Sequence, residues 1–200
     1  MVKNTAILTI ITLCAGLFLG LVFEITKEPI AIAKETAKQQ AYQEVFSAAD
    51  SFIDYAGFSA DEARSVLDNA GLTSDSIVEV VEATSSGEVL GHVITVTAHD
   101  GYAGDITFTI GITLDGNING IAILTIGETP GLGMKAAEDG FTSQFGNKSA
   151  QQFVVTKTGS TSDGEIDAIG GATITTVAMV NGVNAGLEYW EHITGGISNE

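Results

Sequence analysis

The chain has 200 residues, 44% of them hydrophobic, which is enough for one ordinary domain with an appendage and is unlike a disordered tail. Two prolines and one cysteine exclude a proline-rich fibre and a small disulfide-stapled secreted protein. The formal net charge of −17, with no cluster of lysine or arginine, excludes binding to the phosphates of DNA or RNA. The charge is uneven, because residues 1–40 hold four basic and three acidic side chains whereas residues 41–200 hold four and 22.

The N-terminal part of the chain predicts a membrane helix. Thr5 to Phe23 form a run of nineteen residues without a charge. At about 1.5 Å per helical residue, this run reaches the roughly 30 Å of a bilayer hydrocarbon core. A cleaved signal peptide is one alternative, but its apolar part is usually shorter and ends in small residues, whereas bulky side chains end this run.

A lipoprotein signal is the second alternative, because the run contains Cys14. That processing requires a small residue before the cysteine, and Leu13 stands there. We therefore interpret Cys14 as an apolar filler in lipid. The positive-inside rule does not decide the orientation, since the lysines on the two sides of the run are interleaved with glutamates.

Two helical segments are predicted after the membrane. Thr26–Phe46 reads as a helical stem that lifts the domain off the lipid. A polar break follows over Ser47–Phe58. Ser59 with Glu62 three residues later is the capping-box pattern of a helix start, and Gly71 is suited to end that helix.

The middle of the chain changes to a period of two and is rich in β-branched residues, which predicts strands. We predict four of them, Ile77–Thr84, Leu90–Ala98, Asp105–Leu114 and Ile118–Ile126. The last two are joined by Asp115-Gly116-Asn117, whose residues accept positive φ, so they should form an antiparallel hairpin. A meander with helices on one face is expected.

The C-terminal part adds a helix over Lys135–Phe145, a short strand over Phe153–Lys157 and a closing helix over Ile174–Ile193, with a disordered tail over Thr194–Glu200. The apolar stripe of the closing helix contains Val177, Val180, Val183 and Leu187. The predicted fold is α+β, an antiparallel sheet flanked by helices and preceded by one transmembrane helix and its stem. The expected divisions are an anchor (1–25), a stem (26–47), a folded domain (48–194) and a flexible tail (195–200).

Three segments rich in glycine and small residues are not explained by folding alone. Asp167–Thr176 leads into the closing helix, where glycines allow close approach of the backbone and free amides favour an anion such as phosphate by about 0.3–1 kcal/mol. An ordinary N-cap formed by Thr173 or Thr175 is the alternative there. Gly127–Gly133 and Asp100–Gly104 follow strands, and each taken singly also fits a plain turn, with Tyr102 as a partly exposed packing residue.

Taken together, the order and spacing of these segments resemble the FMN-binding domain family, which occurs in the G subunit of the Rnf electron-transport complex and in the C subunit of the sodium-translocating NADH:quinone reductase. The family carries a D-x-x-[S/T]-G-A-[T/S]-x-[S/T] segment, and this chain matches it at Asp167, Gly171, Ala172, Thr173 and Thr175. The resemblance implies that FMN is attached by a phosphodiester to the Thr173 hydroxyl. Gly170 stands where the family usually has serine or threonine.

The resemblance also implies the other contacts to the cofactor. Glu128–Gly133, with the sequence ETPGLG, looks like the flavin-facing loop, and Tyr102 fits the aromatic neighbour of the flavin. Lys157 falls where a basic residue lies near the phosphate. The implied cofactor-binding residues are Thr173, which carries the covalent bond, and Glu128, Thr129, Leu132, Gly133, Tyr102, Lys157, Gly171, Ala172, Ile174 and Thr175.

A covalent tether has a physical advantage, because the flavin ring can then lie at a domain edge without a deep pocket to retain it. The remaining charge of the phosphodiester needs compensation, which the helix start and Lys157 can supply. A negative charge near the ring disfavours its anionic reduced form, and Glu128 is the local candidate. We expect Glu128→Gln to raise the flavin midpoint potential.

The family resemblance implies a membrane-anchored electron-transfer subunit of an ion-translocating ferredoxin:NAD oxidoreductase, a redox-driven translocase, without substrate turnover of its own. The implied partners are the other membrane, iron-sulfur and flavin subunits, membrane lipid, and a flavin transferase that uses FAD and Mg²⁺. The domain is expected on the outer face of the cytoplasmic membrane. The alternatives are a membrane-tethered FMN-binding sensor or regulatory domain, a component like the C subunit of the quinone reductase, and a surface-binding module without flavin.

Other chemistry finds little support in the sequence. His92, His99 and His192 have no ligand spacing, so no metal site is expected. No Ser-His-Asp motif is present either, and we expect no catalytic residue in the hydrolytic sense.

Overall fold

The structure is a computed structural model that describes residues 2–149 and 151–195. The chain divides into two units, Met1–Gln39 and Gln40–Glu200. Helix α1 covers Val2–Val45. Among the described residues, α1 is the one helix long and apolar enough to cross a membrane, and its apolar stretch is exposed.

The stem predicted over Thr26–Phe46 is helical up to Val45, and it continues the apolar run without a break, since α1 is one helix with Pro29 inside it. The two residues that join the apolar run to the stem, Glu24 and Ile25, are compatible with a helix, so the chain has no reason to break there. The Thr26 hydroxyl donates a hydrogen bond to the Val22 carbonyl at 2.8 Å, a contact within the helix.

Five strands form one antiparallel sheet in chain order. They are β1 (Ser51–Asp54), β2 (Asp75–Ser85), β3 (Glu88–Ala98), β4 (Ile106–Thr113) and β5 (Ile118–Ile126). The four predicted strands and the final hairpin are confirmed, and Gly116 in its turn has a φ of 81°. The antiparallel meander within an α+β fold is therefore correct.

The sequence patterns do not predict strand β1. It lies inside the segment over Ser47–Phe58 that is predicted as a polar break, so that prediction is wrong for Ser51–Asp54. β1 pairs with β2 at the edge of the sheet, from Ser51 opposite Thr84 to Asp54 opposite Val81. Four residues are too few to show a period of two, and three of the four side chains are exposed.

Helices cover both faces of the sheet, so the expectation of helices on one face is incomplete. Helices α2 (Ala60–Ala70) and α4 (Thr173–Thr194) contribute to the larger core on one face. The last turns of α1 pack Tyr42 and Val45 against the other face, together with Phe46, which directly follows the helix. Helix α2 confirms its predicted bounds, because the Ser59 side chain accepts a hydrogen bond from the Glu62 amide at 3.4 Å and Gly71 ends it with a φ of 79°.

Helix α4 lies close to the sheet because glycines face it. A Cβ placed on Gly186 would lie 2.4 Å from Ile110 Cδ1, and one on Gly182 would lie 2.8 Å from Phe108 Cζ. Any side chain at these positions would push the helix outwards. Val180, Val183 and Leu187 of the predicted stripe are buried, whereas Val177 is exposed.

The predicted helix over Lys135–Phe145 is wrong in its length. The segment consists of a 3₁₀ turn (Gly133–Ala137), a single helical turn α3 (Asp139–Thr142) and a second 3₁₀ turn (Ser143–Phe145). Glu138 has an extended backbone, with φ −89° and ψ 147°, and this interrupts the helix.

Two short parallel strands, β6 (Val154–Thr156) and β7 (Glu165–Asp167), complete the described fold. β6 confirms the short strand predicted there, whereas β7 has only three residues and shows no period-two pattern. β7 leads directly into the loop before α4 and therefore sets the position of that loop. The disordered tail predicted from Thr194 is wrong at Thr194, which is the last residue of α4, and Gly195 caps that helix with a φ of 78°. The remainder of the predicted tail lies outside the described residues.

Candidate functional site

A cavity of about 540 Å³ opens where three segments of the chain meet. The segments are the loop between β3 and β4, the loop after β5, and the start of α4. The cavity is lined by Tyr102, Glu128, Thr129, Leu132, Gly133, Gly171, Ala172, Thr173, Ile174 and Thr175. The fold thus brings together all the predicted site residues except Lys157.

The N-terminus of α4 forms one wall of the cavity and has no side-chain cap. Ala172 is the N-cap residue, with φ −133° and ψ 47°. The alternative of an ordinary N-cap by Thr173 or Thr175 is therefore wrong, because both lie inside the helix. The Thr173 hydroxyl is on an exposed residue at the first helical position, next to backbone amides that carry the positive end of the helix dipole.

The residue that fixes the start of α4 is Thr176, which no sequence pattern singles out. Its buried hydroxyl accepts a hydrogen bond from the Ile169 amide at 3.1 Å and donates one to the Ala172 carbonyl at 2.9 Å. The Ala172 amide also bonds to the Ile169 carbonyl at 2.9 Å. These three hydrogen bonds pair the loop with itself and with the first turn of α4. The Thr173 and Thr175 hydroxyls take no part in them, and both residues line the cavity.

The two glycines of this loop, Gly170 and Gly171, differ in backbone conformation and in the space around them. Gly171 has a φ of 79°, a region that side chains with a Cβ rarely adopt, and a Cβ there would lie 3.1 Å from Leu132 Cδ2. Gly170 does not have positive φ, and a Cβ placed on it would meet open space. The structure would therefore accept at position 170 the serine or threonine that the family usually has.

Glu128 lies at the back of the cavity and is only 4% exposed. Its Oε1 accepts a hydrogen bond from the Ala103 amide at 3.3 Å, which joins the loop after β5 to the loop between β3 and β4. A Cβ placed on Gly133 would lie 2.6 Å from Glu128 Oε2 and 2.7 Å from Thr175 Oγ1. The carboxylate and the Thr175 hydroxyl therefore occupy the space that Gly133 leaves open.

Apolar side chains form the outer part of the cavity. Tyr102 is 69% exposed, and Leu132 and Ile174 are also largely exposed to solvent. Exposed large apolar groups beside a cavity are suited to cover a flat aromatic ligand. The cavity thus has an apolar mouth, hydroxyl groups and helix amides on one wall, and one carboxylate at the back.

Lys157 is exposed and directly follows β6, outside the residues that line the cavity. It is nevertheless next to Thr156, whose carbonyl accepts a hydrogen bond from the Ala168 amide of the loop before α4 at 2.8 Å. This backbone contact places the residue before Lys157 beside the loop, but Lys157 itself does not line the cavity. Within residues 2–149 and 151–195, no three histidine, cysteine or acidic side chains are grouped as metal ligands.

A buried acid lies near the loop that carries Tyr102, and no sequence pattern indicates it. Asp75, at the start of β2, is 2% exposed. Burial raises the pKa of Asp75 to about 6, with a smaller contribution from the negative charge of Asp100, while His99 opposes the change. Asp100 is the residue at which the Tyr102 loop begins.

Residues 101–188 match the FMN-binding domain family. The chain is 34% identical over 195 residues to the G subunit of the Na⁺-translocating ferredoxin:NAD⁺ oxidoreductase complex of Acetobacterium woodii, which covers 96% of this chain and 92% of that protein. It is 30% identical over 202 residues to the G subunit of the ion-translocating oxidoreductase complex of Shewanella baltica, with coverage of 96% and 90%. The chain belongs to the G-subunit family of ion-translocating oxidoreductase complexes.

The fold of this G-subunit family member is also similar to a solved structure, that of the C subunit of the Na⁺-translocating NADH-quinone reductase of Parabacteroides distasonis. The TM-score is 0.53 at 18% sequence identity, and the match covers 84% of this chain and 94% of that one. This likeness concerns the fold alone and agrees with the α+β class. Membership of the G-subunit family and the apolar helix α1 identify a membrane protein.

The cavity fits FMN, the ligand for which the matched domain family is named. Its volume lies within the range of 300–1,000 Å³ typical of cofactor sites, at about 540 Å³. The uncapped start of α4 suits a phosphate, because free amides and the helix dipole favour an anion there. The exposed apolar side chains suit a flat ring. The donor set and the shape thus agree with the FMN-binding domain that spans residues 101–188.

Proposed function

We propose that this chain is the membrane-anchored electron-transfer subunit of an ion-translocating ferredoxin:NAD oxidoreductase, and that it holds FMN in the cavity at the start of α4. The observation that carries the proposal is the meeting of three sequence-distant segments around an uncapped helix N-terminus, within the FMN-binding domain. FMN would supply the chemistry of accepting and passing on electrons. The described residues contribute binding, orientation and charge.

We further propose that the bond to FMN is covalent and that Thr173 is the acceptor. The Thr173 oxygen would form an ester bond to the phosphorus of the FMN half of FAD while the bond from that phosphorus to the AMP oxygen breaks. AMP leaves with the electron pair, and the hydroxyl proton is lost to solvent or to a base of the transferase. The exposure of Thr173 at the first position of α4 supports this assignment, because an external enzyme can reach the hydroxyl.

The cavity residues have distinct roles in this proposal. The amides at the start of α4 would neutralise part of the phosphodiester charge, and Lys157, which does not line the cavity, would add a contribution weakened by screening. Tyr102, Leu132 and Ile174 would cover the ring and limit its contact with water. Glu128, held by the Ala103 amide, would place a negative field behind the ring.

The proposed setting is a membrane complex. The relatives are subunits of multi-subunit oxidoreductases, which supports the presence of other redox subunits as partners. A transferase that uses FAD and Mg²⁺ would install the cofactor, α1 would contact lipid, and the domain would face outwards from the cytoplasmic membrane. Orientation can be tested with Ser162→Cys, an exposed position, in intact cells: an impermeant maleimide should label it, and labelling only after cell lysis would place the domain inside.

The test of the covalent proposal is a denaturing gel. The full chain, produced together with its flavin transferase, should give a yellow fluorescent band that survives SDS. Thr173→Ala should abolish the band and Thr173→Ser should retain it, because serine keeps the hydroxyl. Thr129→Ala is the matched control, since it removes a different exposed hydroxyl from the same cavity and should keep the band. A wild-type chain without the band, or a Thr173→Ala band of full intensity, would refute the proposal.

The electron-transfer role needs a separate experiment. The tagged chain purified from its native membrane should bring with it subunits that contain iron-sulfur clusters and flavins, and its own flavin should be reduced when reduced ferredoxin is added. A flavinylated chain that purifies without redox subunits would instead support the sensor alternative.

A further inference from the structure

The loop that carries the proposed acceptor is held from outside the cavity by the side-chain amide of Gln144. This residue lies in the second 3₁₀ turn, Ser143–Phe145, far from the loop in sequence. Its Oε1 accepts a hydrogen bond from the Asp167 amide at 2.7 Å, and its Nε2 donates one to the Asp167 carbonyl at 3.4 Å. One side chain thus pairs with both backbone groups of a single residue, as a neighbouring strand would.

The turn that carries Gln144 is itself well anchored. Phe145 is fully buried and Phe141 almost so, and their rings lie 5.5 Å apart. Phe145 also contacts the ring of Phe153 at 5.4 Å, next to β6. A side chain mounted between such anchors is a rigid support rather than a mobile surface group.

Asp167 is the point at which the chain leaves β7 for the acceptor loop. Beyond it, the Ala168 amide bonds to the Thr156 carbonyl at 2.8 Å, and Thr176 holds Ile169 and Ala172 from the helix side. Gln144 therefore supports the entry of the loop from the side opposite β6, and Thr176 supports its exit. Without Gln144, the Asp167 amide and carbonyl lose this support.

We propose that Gln144 is a positioning residue for the covalent attachment of FMN: by fixing Asp167 it holds the loop in the conformation that presents the Thr173 hydroxyl. The inference rests on the proposed function, because it concerns the modification of Thr173. Gln144 touches neither the acceptor hydroxyl nor the cavity lining. It acts through the backbone of the loop.

The chain contains a matched control for this contact. The Asn184 side chain makes the same pair of bonds with Phe153, accepting from its amide at 2.8 Å and donating to its carbonyl at 3.0 Å. Asn184 is buried in α4, and the bonds hold the start of β6 rather than the acceptor loop. Losing either pair leaves backbone groups unpaired and should destabilise the domain. Only the loss at Gln144 should affect modification.

The experiment measures the rate at which the purified full chain in detergent gains SDS-stable flavin fluorescence from FAD, Mg²⁺ and the transferase. We expect Gln144→Met, which keeps the length of the side chain but removes both bonds, to slow the reaction about tenfold, equivalent to about 1.4 kcal/mol. Gln144→Glu keeps the acceptor for the shorter bond and should stay within about threefold of the wild-type rate. Asn184→Leu should lower the melting temperature but leave the rate close to that of the wild type.

The outcomes separate the two proposals. A wild-type chain that gains no fluorescence refutes the covalent attachment itself. A wild-type chain that reacts while Gln144→Met reacts at the same rate refutes the role of Gln144 alone, as does an equal loss of rate in Asn184→Leu. If Gln144→Met does not fold, Gln144→Asn replaces it, because its amide is one methylene too short for both bonds and the same slowing is expected.

A second readout does not depend on the loaded protein. In hydrogen–deuterium exchange of the unmodified full chain, peptides covering 167–172 should exchange about tenfold faster in Gln144→Met than in the wild type, whereas peptides from β3 should be unchanged. In Asn184→Leu, peptides 167–172 should keep their wild-type rate. Unchanged exchange of this segment in Gln144→Met would overturn the inference.

Discussion

The buried carboxyl of Asp75 predicts a specific dependence of stability on pH. Asp75 lies at the start of β2 and is almost fully buried, with Asp100 nearby and only His99 to favour its charge. Burial raises the pKa of Asp75 from its ordinary value of 3.8 to about 6. The folded chain therefore binds a proton there that the unfolded chain has already released between pH 4 and 6.

The sign of the effect follows from proton linkage. Well below pH 3.8 both states are protonated at Asp75 and the group has no effect on stability. As pH rises from about 4 to 6, the unfolded chain ionises first and the folded state loses stability. The full difference corresponds to about 3 kcal/mol, and relaxation of the protein around the buried charge reduces it to about 1–2 kcal/mol. Above pH 6, Asp75 thus lowers the free energy of unfolding by a constant amount.

Asp75→Asn removes this cost and should stabilise the chain at pH 7 but not at pH 4. With a gain of about 1–2 kcal/mol, the melting temperature should rise by about 3–6 °C at pH 7. The fluorescence of Trp190 reports the transition, since it is buried and is the only tryptophan in the chain. The unmodified full chain in detergent avoids quenching by flavin.

The control is Asp163→Asn, an exposed acid, which should change the melting temperature by less than about 1 °C at either pH. A gain from Asp75→Asn that is equal at pH 4 and pH 7 would show that packing rather than ionisation is responsible. A loss of stability at pH 7 would refute the reasoning, because Asp75 would then be stabilised as a carboxylate.

Three further substitutions test the cavity. Glu128→Gln should raise the flavin midpoint potential by tens of millivolts, because in the proposed arrangement it removes a negative charge behind the ring. A redox titration that gives no change or a fall would show that Glu128 does not tune the flavin. Gly171→Ala should lower the free energy of unfolding by about 1–2 kcal/mol and slow flavin attachment, since Gly171 has a φ of 79° and a Cβ there would meet Leu132. A melting temperature like that of the wild type would contradict this. Gly170→Ser should fold and be flavinylated at least as fast as the wild type, because a Cβ at position 170 meets open space. Slower gain of SDS-stable flavin fluorescence would show that glycine is required there.

The elements that the sequence predicted correctly are those whose local chemistry agrees with their tertiary role. In β4, for example, Ile106, Phe108, Ile110 and Ile112 face the larger core and alternate with threonine and glycine, so a period of two appears in the sequence. Helix α2 carries its own start and stop signals at Ser59 and Gly71. An element whose local conformational preference agrees with its tertiary environment can be predicted from its own residues, without knowledge of its neighbours.

The errors occur where tertiary contacts decide the structure. β1 and β7 are too short to have a period, and each exists because a neighbouring strand offers its backbone. The segment around Glu138 has a helical composition but forms separate turns, one of which carries Gln144 to Asp167. The burial of Asp75 is equally invisible, because it depends on which loop folds over the start of β2.

The residues that line the cavity could be singled out from the sequence to a larger extent than the fold around them. Its glycines are conspicuous in the sequence because a loop that must approach a ligand closely cannot be built from ordinary side chains. Gly133 illustrates the point, since the space of its missing Cβ is taken by Glu128 and Thr175. Lys157 is the exception, because its charge and its place in the sequence could not show that it does not line the cavity.

The arrangement also explains how an acidic domain can accept another anion. Residues 41–200 hold 22 acidic and only four basic side chains, so a phosphate placed at random on this surface would be repelled. At the start of α4, the free backbone amides and the helix dipole favour an anion. Thr176 keeps that field available, because it satisfies the loop from inside the helix and no side chain caps the first turn. An ester oxygen at Thr173 would place the phosphate directly in this field, while the exposed Tyr102 would leave the ring where a second redox centre can approach it.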